Sequence, residues 1–191
     1  MHEITSALIA GGNSNRFGSS KMQAKFQGKR LIDYALHLAL EISDNVIIIA
    51  GSHPLPADVN AKVYHDLIPN CGPLGGIYTA LHYAPTSRVA ILPVDMPLLS
   101  LKIYNVLLAA NERNRPVVAV SHAGLESLVS LWPKSILPLV KRSLENKELG
   151  IYKLLKKLNA IKIDLPNEME NYEKEWFLNI NSRHDMEILG L

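Results

Sequence analysis

Cysteine is nearly absent from this chain: Cys71 stands alone among 191 residues. No intrachain disulfide can form and no Cys-rich metal site can assemble, which suits a reducing compartment. Long apolar runs are missing too, since none approaches the ~20 residues that cross a bilayer. The opening segment, MHEITSAL, lacks the basic-then-apolar build of a secretory leader. Together these absences predict a cytoplasmic protein with no membrane partner. Excess charge is small as well, with 20 Lys and Arg against 18 Asp and Glu, too weak a balance to argue for nucleic acid. The seven histidines show neither an HExxH pattern nor an i,i+4 pair, so no zinc site is expected. Ser14, Ser19 and Ser20 lie in no G-x-S-x-G elbow and precede no recognisable base. No internal repeat, low-complexity tract or linker interrupts the chain.

What is present is apolar matter in short pieces. At 48% hydrophobic residues the chain can bury a sizeable core as one domain, residues 1–191. Apolar runs alternate with helical patterns, the mark of an α/β sheet. Strands are expected at Ile4–Ala10, Val46–Ala50, Ala61–His65, Arg88–Val94, Pro116–Ser121, Leu128–Trp132, Ala160–Asp164 and Phe177–Ile180. Helices are expected at Leu31–Glu41, Leu74–Ala84, Ser100–Glu112, Lys134–Asn146, Ile151–Leu158 and Ser182–Leu189, with Ser100 as an N-cap. VIIIA at Val46–Ala50 is apolar throughout and is expected to be buried on both faces. The acid-rich stretch Pro166–Glu175 reads as a solvated loop. The fold class is a single Rossmann-like three-layer α/β domain with a mixed, mainly parallel sheet.

The densest information lies in LIAGGNSNRFGSSK, Leu8 to Lys21. An apolar run ends in Gly11-Gly12, and a polar segment follows with Gly18, Arg16 and Lys21. Glycine admits close approach of the backbone, so that N–H groups converge on an anion. In the first thirty residues Arg16, Lys21, Lys25, Lys29 and Arg30 face one acid, Glu3, a local excess suited to a polyphosphate. The segment is not a Walker A loop, because Ser19 and Ser20 separate Gly18 from Lys21. Nor does Gly11-Gly12-Asn13 fit a dinucleotide fingerprint.

Two further segments carry chemistry. In Leu92-Pro93-Val94-Asp95-Met96-Pro97 a single carboxylate is held between prolines at the end of a strand. Such a carboxylate suits Mg²⁺ when substrate phosphates supply further oxygens; on these residues alone it is equally a turn aspartate that accepts from backbone N–H groups. In the segment from His65 through Asp66, Cys71, Gly72, Pro73 and Leu74 to Ile77, Pro73 can open a helix and Gly75-Gly76 leave room for a flat ring. Met22 and Phe26, four apart, read as core contacts.

The first segment resembles the L-A-G-G-x-S-x-R-M-G-x-x-K signature of the molybdenum cofactor guanylyltransferases. Ile9, Ala10, Gly11, Gly12, Ser14, Arg16, Phe17, Gly18 and Lys21 stand at its positions. The segment around Asp66 resembles the family's D…GPLxG, and Phe177–Ser182 resembles its N-x-N before the last helix. The resemblance covers about Ile4 to Ile188. It departs at Ser20, at Ala50-Gly51-Ser52, where some members carry an asparagine, and over Lys147–Tyr152, which lacks a clear basic pair.

The resemblance implies the nucleotide-diphospho-sugar transferase type of fold and a magnesium-dependent nucleotidyltransferase. GMP would pass from GTP to the terminal phosphate of molybdopterin cofactor, giving the guanine dinucleotide and pyrophosphate, with molybdoenzymes or their chaperones as partners. Ile9, Ala10, Gly11, Gly12, Gly18, Lys21, Asp66, Pro73, Leu74 and Asp95 would bind the nucleotide. Arg16, Lys21 and Asp95 would be catalytic, with Asp95 holding Mg²⁺. Asn179 and Asn181 would contact the acceptor. Cytidylyltransferases, or other nucleotidyltransferases acting on a sugar phosphate, form the alternative; cytidine-using relatives resemble L-A-A-G where this chain has Gly11-Gly12. A catalytically silent nucleotide-binding module is opposed by the intact Arg16, Lys21 and Asp95.

Overall fold

The computed structural model of the chain describes residues 4–11, 24–51, 55–56, 58–110 and 112–180. Its strands are β1 (Ile4–Ile9), β2 (Lys25–Phe26), β3 (Lys29–Arg30), β4 (Asn45–Ala50), β5 (Lys62–His65), β6 (Arg88–Pro93), β7 (Val117–Ser121), β8 (Gly124–Pro133) and β9 (Ile161–Asp164). Its helices are α1 (Leu31–Ile42), α2 (Gly72–Tyr83), α3 (Leu101–Ala109), α4 (Leu137–Glu145), α5 (Ile151–Lys157) and the short α6 (Leu165–Glu168). Seven strands form one sheet in the order β5-β4-β1-β6-β8-β7-β9, while β2 and β3 make a separate small hairpin. Every strand of the sheet but β8 runs the same way. The mixed, mainly parallel sheet expected from the sequence is thus present.

The layers follow from strand periodicity. Successive side chains point to opposite faces. Ile4 and Leu8 of β1 therefore join a core with Ile48, Ala90, Leu92 and the inner sides of α1 and α3. Ala7 and Ile9 join a second core with Ile47, Ile49 and the inner sides of α2, α4 and α5. β4 behaves as its apolar run predicts, with Ile47 to Ala50 all buried. In α1 the buried positions Leu31, Ile32, Ala35, Leu38 and Ala39 trace one helical stripe. Ser100 caps α3 by accepting from the Lys102 N–H at 3.3 Å. Phe26 is buried as expected, while its proposed neighbour Met22 lies outside the described residues.

Three expectations need correction. The predicted strand at Phe177–Ile180 is absent: a 3₁₀ turn spans Lys174–Phe177, and the Leu178 N–H returns to the Glu175 carbonyl at 3.0 Å. Trp176 and Phe177 are both buried and both pack against Tyr172. Two consecutive buried aromatics suit a tight corner better than a strand, which would send them to opposite faces. Part of the stretch read as a solvated loop is ordered inward: α6 opens it, and Met169 and Tyr172 pack on the core while the acids face outward. The β2–β3 hairpin has no apolar alternation to announce it; Gln27 and Gly28, both at positive φ, form its turn. The helix expected at Ser182–Leu189 lies outside the described residues.

β8 leaves β6 partway along. Their pairing runs from Arg88↔Pro133 to Ile91↔Ser130 and stops there. Against β7 the register slips, from Val118↔Ser130 to Ala119↔Glu126, so Ser127 to Val129 bulge out. Where the strands part, the fully buried Tyr104 of α3 donates its hydroxyl to the Ile91 carbonyl at 2.8 Å. Burial alone pushes that phenol well above its ordinary pKa, so it remains a donor. Tyr104→Phe is expected to cost about 1–2 kcal/mol, because it strands a buried carbonyl. A denaturant titration, read as a lowered midpoint at unchanged slope, checks it.

Candidate active site

The sheet order places a switch point between β1 and β6. From β1 the chain winds to β4 and β5 on one side, then crosses to β6 on the other. In open α/β sheets ligands bind beyond the carboxyl ends of strands at such a point. Ile9 of β1 is the register partner of Pro93 of β6. Gly11 and Asp95, each two residues further on, therefore leave the sheet at the same edge. Gly51 follows β4 and Asp66 follows β5 at the same edge.

A cleft of about 650 Å³ opens there. Ile9 and Gly11 supply its β1 wall, Gly51, His65 and Asp66 its far wall, and Pro69, Asn70, Gly72, Pro73 and Gly76 the loop and first turns of α2. The Ala10 N–H continues the ladder to the Ile49 carbonyl at 2.9 Å, so Gly11 is the first residue free of the sheet. A side chain at Gly11 would begin 3.5 Å from Asp66 Oδ2 and 3.5 Å from the Gly51 nitrogen. A Cβ there would only just touch both groups, so the carboxylate lies close over this backbone.

Asp66 is the most unusual group in the cleft. It is half-buried, and its Oδ1 is shut off from solvent without a hydrogen-bond partner. Burial pushes its pKa up, with His65 opposing. The His65 ring is itself engaged, its Nδ1 lying 3.2 Å from the Gly51 carbonyl. An unsatisfied buried acceptor is costly; the other oxygen, Oδ2, lies over Gly11 on the cleft side and is the one placed to accept from a ligand N–H or O–H.

The α2 entrance is built by backbone conformation. Asn70 and Gly72 both adopt positive φ, 62° and 58°, a region that asparagine and glycine tolerate. Pro73 then sits in the first turn, where its missing N–H costs nothing. The two glycines after it have different reasons. A Cβ on Gly75 would lie 3.0 Å from Cys71 Cβ and 3.1 Å from the Ile68 carbonyl oxygen, and one on Gly76 would lie 3.1 Å from Ile9 Cγ2. Gly75 is thus required for close packing rather than as room for a flat ring; Gly76 lines the cleft. Leu74 is fully buried in the core behind α2, so its side chain does not reach the cleft. Only its backbone N–H, in the unpaired first turn, is left to face a ligand.

On the β6 side Asp95 is partly buried, and its carbonyl accepts the Ile180 N–H at 2.9 Å. That single bond draws the segment before Asn181 across the end of β6. Exposed Asn179 then stands one residue from the tie. The sequence placed Asn179 on a strand; the structure places it on an irregular segment next to Ile180. Asn181 lies outside the described residues, as do Gly12, Arg16, Gly18 and Lys21.

The basic excess at the N-terminus is partly spent on structure. Arg30 meets Asp33 at 2.8 Å and Asp58 at 2.7 Å, which raise its pKa further, Asp33 first. Lys29 Nζ sits 4.9 Å from the centre of the Tyr34 ring. Both are thus engaged within the fold, which reduces the local excess suited to a polyphosphate. Among the described residues no group of three His, Cys, Asp or Glu could cage a metal. A lone carboxylate at the switch point still fits magnesium, which keeps waters and takes one or two carboxylates plus phosphate oxygens. The nucleotide ligands expected from the sequence left out Gly51, His65, Pro69, Asn70, Gly72 and Gly76, which line the cleft. All lie in segments flagged by turn residues, but which of them line the cleft depends on how α2 docks on β1.

A MobA-like NTP transferase domain matches residues 7–161 of the chain. A probable molybdenum cofactor guanylyltransferase of Flavobacterium johnsoniae is 31% identical, covering 100% of this chain and 98% of its own length. A protein of the same description from Carboxydothermus hydrogenoformans is 32% identical, covering 99% and 96%. Among solved structures, the molybdopterin-guanine dinucleotide biosynthesis protein A of Archaeoglobus fulgidus superposes with a TM-score of 0.79 at 20% identity, covering 96% and 95%. The 2-C-methyl-D-erythritol 4-phosphate cytidylyltransferase of Thermus thermophilus gives 0.69 at 13% identity, covering 95% of each chain. A Mycobacterium tuberculosis protein in complex with manganese gives 0.63 at 13%, covering 84% and 87%. The last three likenesses concern the fold. The chain belongs to the MobA-like NTP transferase family.

Proposed function

Starting from a MobA-like NTP transferase, we propose that this chain transfers GMP from GTP to the terminal phosphate of molybdopterin cofactor, in the cytoplasm, releasing pyrophosphate. The observation that carries this reading is the switch point. Two parallel strands in register deliver Gly11 and Asp95 to one edge, beside a cleft faced by the Asp66 carboxylate. The relatives' names supply the nucleotide and the acceptor.

The chemistry asks little of the protein in proton transfer. A phosphate-monoester acceptor has its second pKa at about 6 and is already anionic at neutral pH. No general base is required, and catalysis rests on positioning and charge neutralisation at the α-phosphorus. The base and ribose occupy the cleft between Gly11, Asp66 and the start of α2. Arg16 and Lys21 neutralise the phosphates. Asp95 holds the magnesium ion, which when bound offsets phosphate charge. Asn179 and Asn181 contact the acceptor.

Thermal shift tests the nucleotide. GTP with Mg²⁺ is expected to raise the melting temperature more than CTP, ATP or UTP. At a hundredfold excess over Kd the stabilisation is about 2.7 kcal/mol. A larger shift with CTP moves the chain to the cytidylyl branch. Magnesium-dependent pyrophosphate release separates either enzyme from a silent nucleotide-binding module.

A further inference from the structure

Thr79 is a fully buried polar residue in α2, among Ile77, Tyr78, Ala80 and Leu81, which are all buried. Its hydroxyl donates to the Gly75 carbonyl at 2.9 Å and accepts the backbone N–H of Leu67 at 3.1 Å. The first bond is the ordinary back-bond of a helical threonine. The second is not local: it reaches twelve residues back, to the chain leaving β5. Leu67 directly follows Asp66, and Gly75 directly precedes Gly76. One hydroxyl thus ties the segment that carries the carboxylate to the helical turn that carries the cleft wall. Asp66 Oδ1 lies 3.9 Å from where a Cβ on Gly76 would begin, and Oδ2 lies 3.5 Å from the same point on Gly11.

Leu67 is 40% exposed, yet its N–H turns inward to the fully buried Thr79 hydroxyl, which is what pairs it. Valine at position 79 would fill the same buried volume without a polar atom. What the second bond does fix is the direction in which Asp66 leaves β5. A carboxylate held in place before the ligand arrives loses less freedom on binding.

We propose that Thr79 is a positioning residue for nucleotide binding, its hydroxyl holding the Asp66 carboxylate over the cleft between Gly11 and Gly76. The proposal rests on the reading of that cleft as the guanine nucleotide site.

The test is a double-mutant cycle on the full chain, with GTP affinity measured by calorimetry in the presence of Mg²⁺ and turnover measured by pyrophosphate release. Thr79→Val is expected to weaken GTP binding roughly 5- to 10-fold, the worth of one hydrogen bond. Turnover at saturating GTP should stay within about twofold, since uniform binding is what is lost. Thr79→Ser restores the hydroxyl and should recover wild-type affinity. In an Asp66→Asn background, itself weaker for GTP, Thr79→Val should add nothing further. A mere packing role would instead lower the melting temperature and the active fraction, leaving the affinity of the folded molecules unchanged. If Thr79→Val does not fold, Thr79→Ala takes its place in the cycle. Wild-type affinity in a folded variant without the hydroxyl, failure of Thr79→Ser to rescue, or the same loss with and without Asp66 each overturns the proposal alone. A wild-type protein that does not bind GTP, or an Asp66→Asn variant that binds it unchanged, overturns the nucleotide reading and the proposal with it.

Discussion

Asp95→Asn is expected to yield a folded protein whose nucleotidyl transfer has collapsed, by on the order of a thousandfold, as befits the loss of several kcal/mol of metal-assisted charge stabilisation. The amide keeps the size and much of the hydrogen bonding of the carboxylate but loses the charge that a hard cation needs. Folding should survive because the tie to Ile180 uses the backbone carbonyl of Asp95, which the substitution leaves in place. Pyrophosphate release measured across a magnesium series separates the roles of the carboxylate. Excess magnesium should rescue only part of the loss. A melting temperature near that of the wild type shows that the fold is intact. A folded variant with normal pyrophosphate release and unchanged magnesium dependence would sink the metal assignment and leave Asp95 as a turn residue.

Lys21→Ala is expected to lower turnover by roughly a hundredfold or more, the usual cost of deleting one electrostatic donor from a transition state. Lys21 lies outside the described residues, so this expectation rests on its place in the glycine-rich motif. The structure sharpens it in one respect. Arg30 is held between Asp33 and Asp58, and Lys29 sits over Tyr34. Two of the five N-terminal cations are therefore occupied, which leaves Arg16, Lys21 and Lys25, the first two standing in the glycine-rich motif. Steady-state kinetics with GTP and acceptor both saturating check the prediction, with the melting temperature as control. Near-wild-type turnover would remove Lys21 from the site.

The sequence by itself determined the frame. Apolar runs with period two and helical stripes with period 3.6 report burial directly, because each records which side of an element meets the core. Hence β1, β4 and β6 and the helices between them were legible, and so was the delivery of Gly11, Asp66 and Asp95 to strand ends. Turn chemistry was legible for the same local reason: Gly72-Pro73 can do little except turn and start a helix.

What only the tertiary structure decided was which neighbours these residues acquire. Charge counting placed Arg30 in a basic excess, yet Asp58 reaches it from 28 positions away. Spacing left Gly75 and Gly76 equivalent, yet one packs against Cys71 and Ile68 and the other against Ile9. The run Phe177–Ile180 looks like a strand until Tyr172 folds back over Trp176 and Phe177. Leu74 lies within a nucleotide-binding motif and still turns into the core. The orphaned oxygen of Asp66, and the threonine that aims it, appear only when β5 and α2 are brought together. Backbone conformation and burial are set by a few adjacent residues, whereas ion pairs, steric contacts and desolvation depend on distances across the fold, which no local pattern encodes.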